Sequence, residues 1–495
     1  MKTQVIIFIY LFLSIANVAT SQVIFTFSDS AVEARFRHDI GVLASDSFMG
    51  RKAGSVGERK AAAYIIEQFL QAGLDPHGTD SGSFLQAFPY ETIVFPKKNN
   101  WFTFGHKTYI PKNQYGITAF SSNRTIKGLI IDVGRGLVDP ANGIDEYKGL
   151  DSLQGKIFLM EFPLPKQYPK LDSSELPQMI RKRLALAFSK GASGVILWNT
   201  DAPGYRKLFD FTSADTMPGV VLFVASEIVR DLRHSKLAEV NISTCVEHLK
   251  CEPQNVVGFL NNNATSTIIL GGHYDHVGVK RDTLIFNGAD DNASGTAMVI
   301  ELARWLKQHG SQKHNYLFIA FSAEEEGMIG SNYFCKHPLI PWSSISFYFN
   351  FDMVGRLGVD GNRITAEGAK TSSYWNTVFR KIPDYGFRVK KLAAASDFSD
   401  QSGFKKRGIP IAFITTGIHS DYHTWRDVPQ RINYNGMVSL FRFSTDFISL
   451  ASVSEKIPYT KVRGWKLFWS NLHYFSGQIR FVLNTPWKDL LLIME

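Results

Sequence analysis

The sequence predicts an α/β fold with a largely parallel sheet for residues 254–453. Short apolar runs alternate there with amphipathic helical runs, which is the pattern of strand–helix–strand units. Acidic or histidine-bearing loops follow the apolar runs or open the helical ones. Because parallel sheets bind ligands beyond the carboxyl ends of their strands, these loops are the candidate site.

The elements of this region follow from periodicity. Four short apolar runs are predicted strands, namely Ser266–Leu270, Tyr316–Phe321, Ser346–Phe351 and Ile409–Ile414. Three runs with apolar residues at helical spacing are predicted helices, namely Ser294–Gln308, Ser373–Lys381 and Gly436–Leu450. Upstream, Val56–Ala72 has the same helical spacing, and Gly73 follows it as a C-cap.

Residues 98–251 have a different pattern of apolar runs. Strand-like runs dominate there, namely Gly128–Val133, Lys156–Met160, Gly194–Trp198 and Val220–Val224, with one helical run at Met179–Ser189. This block contains few obvious catalytic candidates. It is therefore predicted to be a domain inserted between residues 22–97 and 252–454.

Residues 1–21 are predicted to be an export signal. Lys2 precedes a nine-residue apolar run, Val5–Leu13, and Ala19-Thr20-Ser21 precedes a plausible cleavage site. Nine apolar residues are too few to cross ~30 Å of hydrocarbon, and no later run reaches ~18. We therefore expect a periplasmic or extracellular protein with no integral membrane segment after signal removal.

The last segment, residues 455–495, differs from the rest of the chain. It carries three of the nine tryptophans, Trp465, Trp469 and Trp487. The aromatic content favours an additional packed segment over a partner- or membrane-binding role, since aromatic side chains dominate cores.

The chain of 495 residues has 44% hydrophobic and 20% charged residues, which are globular values. Only three cysteines are present, so a thiolate-rich metal cluster is excluded and any metal must be held by His, Asp and Glu. A bridge between Cys245 and Cys251 would require a turn between them. The net charge of +9 is modest and no basic run occurs, so nucleic acid is not expected as a partner.

Five segments carry the chemistry. They are Gly271–His276 (GGHYDH), Asn287–Gly295 (NGADDNASG), Ser322–Gly327 (SAEEEG), Asp352-Met353 and His419–Thr424 (HSDYHT). Each follows a strand or opens a helix, so all should meet at one rim of the sheet. Carboxylates gathered there repel one another unless a cation compensates. Histidine and carboxylate donors without thiolate suit zinc, and a shared carboxylate suits a two-metal hydrolytic site.

In their order, these five motifs resemble the co-catalytic zinc peptidases of the M28 type, which include secreted aminopeptidases. The resemblance covers roughly residues 40–95 and 254–453. It implies a three-layer α/β/α catalytic domain with a mixed, largely parallel sheet, and two Zn²⁺ per chain. The inserted block resembles the β-rich protease-associated domain found in many members.

The resemblance also implies five zinc ligands: His273 and Asp352 on one ion, Glu325 and His423 on the other, and Asp290 bridging the two. Glu324 would be the general base. Asp275 would orient the His273 imidazole, and Asp291 would stand behind the ligands.

Other residues are expected around these ligands. Asp397, His419 and Tyr422 are substrate-side candidates, and His276 could be a packing or substrate-side residue. Two positions depart from relatives, because Phe398 follows Ser396-Asp397 where many have His, and Trp425 replaces a usual proline.

The function favoured by the resemblance is an exported metallopeptidase that removes N-terminal residues from peptide substrates. A carboxypeptidase or dipeptidase of the same family is an alternative. A glutaminyl cyclase is disfavoured because it normally lacks the second Asp of the Asp290-Asp291 pair. An inactive receptor-like binding protein is disfavoured because such proteins lose ligands that are all present here.

Overall fold

The computed structural model describes residues 24–109, 114–162, 176–198, 216–234, 239–280, 283–359 and 361–463. The chain divides into two compact units. The first is split between the segment that ends at Ala87 and the segment that begins at Gln254, and the second lies between them. The predicted signal and the three C-terminal tryptophans fall outside the described residues. No helix in the described ranges is both long and apolar enough to cross a bilayer.

Some helices begin after a polar side chain that caps them, as at Ser28, Ser55 and Asn433. The Ser55 side chain accepts a hydrogen bond from the Glu58 amide and so starts the helix at Val56. The helices of the described residues are α1 (Asp29–Leu43), α2 (Val56–Gln71), α3 (Leu176–Ser189), α4 (Ser226–His234), α5 (Gly295–His309), α6 (Ile329–Lys336), α7 (Trp375–Lys381), α8 (Gln401–Lys406) and α9 (Tyr434–Ala451).

The strands fall into two sets. Those of the first unit are β1 (Asp75–Pro76), β2 (Leu85–Ala87), β16 (Gln254–Leu260), β17 (Ser266–His273), β18 (Gly278–Lys280), β19 (Leu284–Phe286), β20 (His314–Phe321), β21 (Ile345–Phe351), β22 (Arg363–Glu367), β23 (Arg388–Lys391) and β24 (Ile411–Thr415). Those of the second unit are β3 (Tyr90–Val94), β4 (Trp101–Phe104), β5 (Lys107–Tyr109), β6 (Tyr115–Ile117), β7 (Arg124–Gly128), β8 (Ile130–Asp132), β9 (Val138–Asp139), β10 (Ile144–Asp145), β11 (Ile157–Glu161), β12 (Gly194–Trp198), β13 (Val220–Val224), β14 (Val240–Thr244) and β15 (Glu247–Cys251).

One mixed sheet organises the first unit. Its strands run in the order β1-β16-β20-β17-β21-β24-β22-β23, and β2 also pairs with β16. The four central strands β20, β17, β21 and β24 are mutually parallel, whereas β16 and β22 join this centre antiparallel. The predicted mixed, largely parallel sheet is therefore confirmed.

Helices cover both faces of this sheet. Along β20, Tyr316 and Phe318 pack into the cluster formed with α1, α2, α5 and α9, whereas Leu317 and Ile319 pack into the cluster on the α6 and α8 side. Alternate residues of a strand point to opposite faces, so a strand buried on both sides reads as a continuous apolar run. The predicted three-layer α/β/α architecture follows from this packing.

A buried ion network ties three helices of the first unit together. The Arg304 guanidinium on α5 donates to Asp39 Oδ2 on α1 at 2.8 Å and to Gln68 Oε1 on α2 at 2.7 Å. It also contacts Glu301 Oε2 at 3.0 Å, and Arg35 binds the same carboxylate. A paired network of this kind fixes how the helices dock.

The second unit contains two larger sheets, with strand orders β6-β13-β12-β11-β8 and β5-β4-β14-β7. The predicted strand Gly128–Val133 is two strands, because β7 ends at Gly128 and β8 begins at Ile130 in the other sheet. The chain changes sheet at Leu129, which is exposed. A continuous apolar run gives no sign of such a crossing.

A strand pair joins the beginning and the end of the second unit in the sequence. β3 pairs antiparallel with β15, so Tyr90 lies opposite Cys251. The second unit therefore begins at Phe88, ten residues before the predicted start of the inserted block. Cys245 and Cys251 are not joined to each other by a disulfide.

Arg304→Met should destabilise the first unit by about 3–5 kcal/mol, because it leaves the carboxylates of Asp39 and Glu301 buried without their shared cation. The control Arg59→Met, on the exposed face of α2, should change the free energy of unfolding by less than ~0.5 kcal/mol. Urea titration followed by circular dichroism measures both. A loss below ~1 kcal/mol in Arg304→Met would show that the network is dispensable.

Candidate metal centre

The loops that follow the central strands meet at one edge of the sheet. His273 is the last residue of β17 and lies in parallel register with Phe321, the last residue of β20. Glu324 and Glu325 therefore follow β20 at the same edge, and Asp352 follows Phe351 at the end of β21. The parallel register brings residues from these three distant segments together.

A first donor group consists of His273, Asp291 and Asp352. The Nε2 atom of His273 lies 3.4 Å from Asp291 Oδ1 and 3.4 Å from Asp352 Oδ1. The three donor atoms all lie within 4.8 Å of one another. The His273 side chain is buried, so the protein excludes bulk water from this ligand of the group.

A second donor group consists of His276, Asp291, Glu325 and His423. The Nε2 atom of His423 lies 3.0 Å from both Asp291 Oδ2 and Glu325 Oε2. The Nδ1 atom of His276 lies 2.8 Å from Glu325 Oε1 and 3.7 Å from Asp291 Oδ2. This group also gathers one donor atom from each residue within 4.8 Å.

Asp291, and not Asp290, lies between the two groups. Its Oδ1 faces His273 and its Oδ2 faces His423. The Asp290 carboxylate turns away, accepts hydrogen bonds from the Gly355 amide at 2.6 Å and from the Ser294 hydroxyl, and lies 3.1 Å from His419 Nε2. The expectation that Asp290 bridges two ions is corrected accordingly. Neighbouring side chains of a turn point in different directions, and the Asp-Asp motif does not specify which one faces inward.

Glu324 stands beside the first donor group without belonging to it. Its Oε2 lies 4.0 Å from His273 Nε2. Burial raises the pKa of Glu324 well above its usual range, and the nearby Asp400 and Asp352 carboxylates act in the same direction, while His273 opposes them. Glu324 therefore holds a proton to higher pH than an exposed glutamate.

The adjacent Glu325 behaves in the opposite way. Burial works to raise its pKa, but the imidazoles of His423 and His276 prevail and hold the pKa of Glu325 well below its usual range. The pKa values of two consecutive glutamates are thus shifted in opposite directions, because burial prevails at Glu324 and the imidazoles of His423 and His276 prevail at Glu325.

Asp275 contacts the glutamate turn. Its carboxylate accepts hydrogen bonds from the backbone amides of Glu324 at 3.1 Å and Glu325 at 3.4 Å. The Nδ1 atom of His273 lies 3.2 Å from the main-chain oxygen of Asp275, against 3.8 Å from its carboxylate. The predicted orienting partner of His273 is therefore the main chain of Asp275, and its side chain holds the Glu324–Glu325 turn.

Arg51 was not singled out from sequence and is central to the loops. Its guanidinium is fully buried and donates to the carbonyls of Leu43, Tyr274, Asn287 and Gly288 at 2.6–2.9 Å. Burial lowers its pKa to about 10, against the pull of the neighbouring carboxylates. One side chain thus holds both ligand-bearing loops, and an arginine in a glycine-rich stretch offers no sequence signal for this.

Asp427 is a second support that sequence reasoning missed. Its carboxylate accepts hydrogen bonds from the backbone amides of Asp290 and Asp291, each at 3.0 Å. The same loop contains the peptide bond Asp291–Asn292, which is cis. The main chain that presents Asp291 is therefore fixed by a residue 136 positions away in sequence.

The three substrate-side candidates lie in different surroundings. Tyr422 stacks on the His423 ring at a centroid distance of 3.8 Å, and His419 pairs with Asp290. Asp397 is partly exposed and forms an ion pair with Lys405 at 2.7 Å. Three residues later, Asp400 is fully buried, and burial raises its pKa to about 6.

Both donor groups fit a divalent metal ion. Imidazole nitrogens and carboxylate oxygens are the donors that zinc binds in the absence of thiolate. Asp291 Oδ2 and His423 Nε2 are buried and have no hydrogen-bond partner among the described residues. Buried polar atoms without partners are costly, and a cation between them removes that cost.

Comparison with known proteins finds similarity to peptidases. Residues 255–448 match the model of peptidase family M28. Aminopeptidase YwaD of Bacillus subtilis is 30% identical over 222 residues, which cover 42% of this chain and 46% of that protein. The chain thus matches less than half the length of this curated relative.

Two solved structures share the fold. The aminopeptidase from Aneurinibacillus sp. strain AM-1 aligns with a TM-score of 0.56 at 20% identity, covering 87% of this chain and 95% of that one. BSAP, a zinc aminopeptidase from Bacillus subtilis, aligns with a TM-score of 0.55 at 20% identity, covering 88% and 97%.

Asp291→Asn should weaken the binding of both metal ions by more than ~100-fold, because the shared carboxylate loses one oxygen donor and its charge. Asp290→Asn is the matched control, and it should keep metal binding close to wild type because its oxygen faces Gly355 and Ser294. Zinc content after dialysis against a graded chelator distinguishes the two variants. Loss of zinc in Asp290→Asn alone would restore Asp290 as the shared residue.

Proposed function

Residues 255–448 belong to peptidase family M28, and on that premise we propose that the chain is an exported, two-zinc aminopeptidase that releases N-terminal residues from peptides. One observation carries the proposal: Asp291 is shared by two donor groups, and a carboxylate outside both groups, Glu324, stands 4.0 Å from His273. Two adjoining cation positions with a separate carboxylate are the arrangement of metal-assisted hydrolysis.

Each donor group has a role in this proposal. His273 and Asp352 would hold one zinc ion, Glu325 and His423 the other, and Asp291 would join them. When bound, the ions would lower the pKa of a water molecule and polarise the scissile carbonyl. Asp275 keeps Glu324 and Glu325 in register through their backbone amides.

Glu324 would act as the general base. It takes a proton from the attacking water and passes it to the departing amine, which requires a carboxylate that binds no metal. Its raised pKa, which burial causes, suits a group that must both accept and return a proton.

The choice of an aminopeptidase rests on similarity. YwaD and both solved structures are named aminopeptidases, and one is named a zinc enzyme. The geometry by itself supports only metal-assisted amide hydrolysis. Export rests on the predicted signal at residues 1–21.

Glu324→Gln should lower kcat by ~10²–10⁴-fold while both zinc ions stay bound, because the amide cannot accept the proton. Glu326→Gln is the matched control: this exposed side chain lies 3.5 Å from Lys52 and belongs to neither donor group. The control should turn over peptides like the wild type. Wild-type rates in Glu324→Gln, with zinc content measured on the same sample, would remove Glu324 from the mechanism.

A peptide panel tests the substrate class. We expect release of the first residue from peptides with a free N-terminus, no release from N-acetylated ones, and loss of activity with a chelator. Mass spectrometry of the products identifies the released residue. Release of the last residue would instead indicate a carboxypeptidase, and cleavage that survives the chelator would exclude a metallopeptidase.

A further inference from the structure

His276 occupies a position that the expected ligand set does not include. Its side chain is fully buried, three residues after His273. Gly288 makes room for it, since a Cβ atom at Gly288 would lie 2.6 Å from the imidazole ring. The ring thus stands against the loop that presents Asp291, facing the ring of His423 at a centroid distance of 5.5 Å.

The distances around His276 lie on either side of the donor–donor separation in a coordination shell. Zinc–nitrogen and zinc–oxygen bonds of 2.0–2.2 Å place neighbouring donors of a tetrahedron about 3.4 Å apart. In the second donor group the corresponding separations are 2.8 and 3.7 Å from His276, and 3.0 Å twice from His423. The two histidines therefore stand in comparable positions towards the carboxylates of Asp291 and Glu325.

Hydrogen bonding accounts for only part of these contacts. His276 Nδ1 lies within hydrogen-bond distance of Glu325 Oε1, at 2.8 Å, but its 3.7 Å separation from Asp291 Oδ2 is too long for a hydrogen bond. Each imidazole nitrogen faces two carboxylates, and one N–H can be directed at only one of them. His423 Nε2 and Asp291 Oδ2 lie 3.0 Å apart, yet neither atom has a hydrogen-bond partner among the described residues. Close donors that are not aligned with each other are expected when both point at a common ion between them.

We propose that His276 is a fourth protein ligand of the second zinc position, alongside Asp291, Glu325 and His423. This inference rests on the proposed two-zinc site. It makes the two positions unequal: the second would be enclosed by four protein ligands, and the first, with His273, Asp291 and Asp352, would keep a free coordination position. Zinc sites with three protein ligands are the ones that admit water and substrate. The free position would lie next to Glu324, on the His273 side.

A cysteine substitution tests ligation directly. Full-length His276→Cys loaded with Co²⁺ should show a thiolate-to-cobalt charge-transfer band in the near ultraviolet, which wild type and His314→Cys should lack. His314 is a suitable control because it is equally buried but belongs to neither donor group. A cobalt-loaded His276→Cys without this band would overturn the proposal.

A second variant measures the affinity. His276→Gln should lose one of two zinc ions about 10–100-fold more readily to a chelator, and the other should stay near its wild-type affinity. His314→Gln should keep both, and thermal unfolding by circular dichroism checks that each variant is folded. Wild-type retention of both ions in His276→Gln would refute the proposal.

Peptide hydrolysis by the zinc-loaded wild type is assayed separately. If His276→Cys shows the cobalt band but the wild type cleaves no peptide, the proposed function is contradicted and His276 remains a ligand. If the wild type cleaves peptides but His276→Cys shows no band, the ligand assignment alone is contradicted.

Discussion

The concentration of buried negative charge at one edge of the sheet is the constraint on which the rest of the structure depends. Four carboxylates at this edge are at least nine-tenths buried, namely Asp275, Asp291, Glu325 and Asp400. Carboxylates cannot share such a volume unless cations or protons compensate them. Burial and neighbouring carboxylates raise the pKa of Glu324, while histidines lower that of Glu325, so the protein already divides the charge unevenly.

The protein holds this edge together through main-chain hydrogen bonds rather than through the ligands themselves. Arg51 donates hydrogen bonds to carbonyls of two ligand-bearing loops. Asp427 accepts hydrogen bonds from the backbone amides of Asp290 and Asp291. Asp275 accepts them from the backbone amides of Glu324 and Glu325. Each support leaves the ligand side chains free to face the cation positions. Preorganisation of this kind lowers the cost of assembling a multi-ligand site.

Periodicity predicted the central strands and helices to within a few residues, because a strand buried on both faces and a helix with one apolar face leave strong patterns. It also predicted that the five acid- or histidine-bearing segments would meet at one rim of the sheet, and the resemblance to the M28 type then implied His273, Glu325, Asp352 and His423 as the ligands among them. The resemblance implied Asp290 as the shared ligand, whereas Asp291 lies between the two donor groups, because the choice depends on the dihedral angles of one turn. Periodicity gave no sign of the role of Arg51. Its partners are backbone carbonyls, which every residue has, so they leave no pattern in the sequence.

The split of the first unit has a consequence for the order in which the chain can fold during synthesis. Residues 24–87 are made before residue 253, but the strand that pairs with β2, and three of the four carbonyls to which Arg51 donates, lie beyond residue 253. At ~5–20 residues per second, the intervening segment takes roughly ten to thirty seconds to make. The second unit is continuous in sequence and can complete itself in that interval. The second unit can therefore fold before the second part of the first unit has been synthesised. That second part contains every residue of both donor groups.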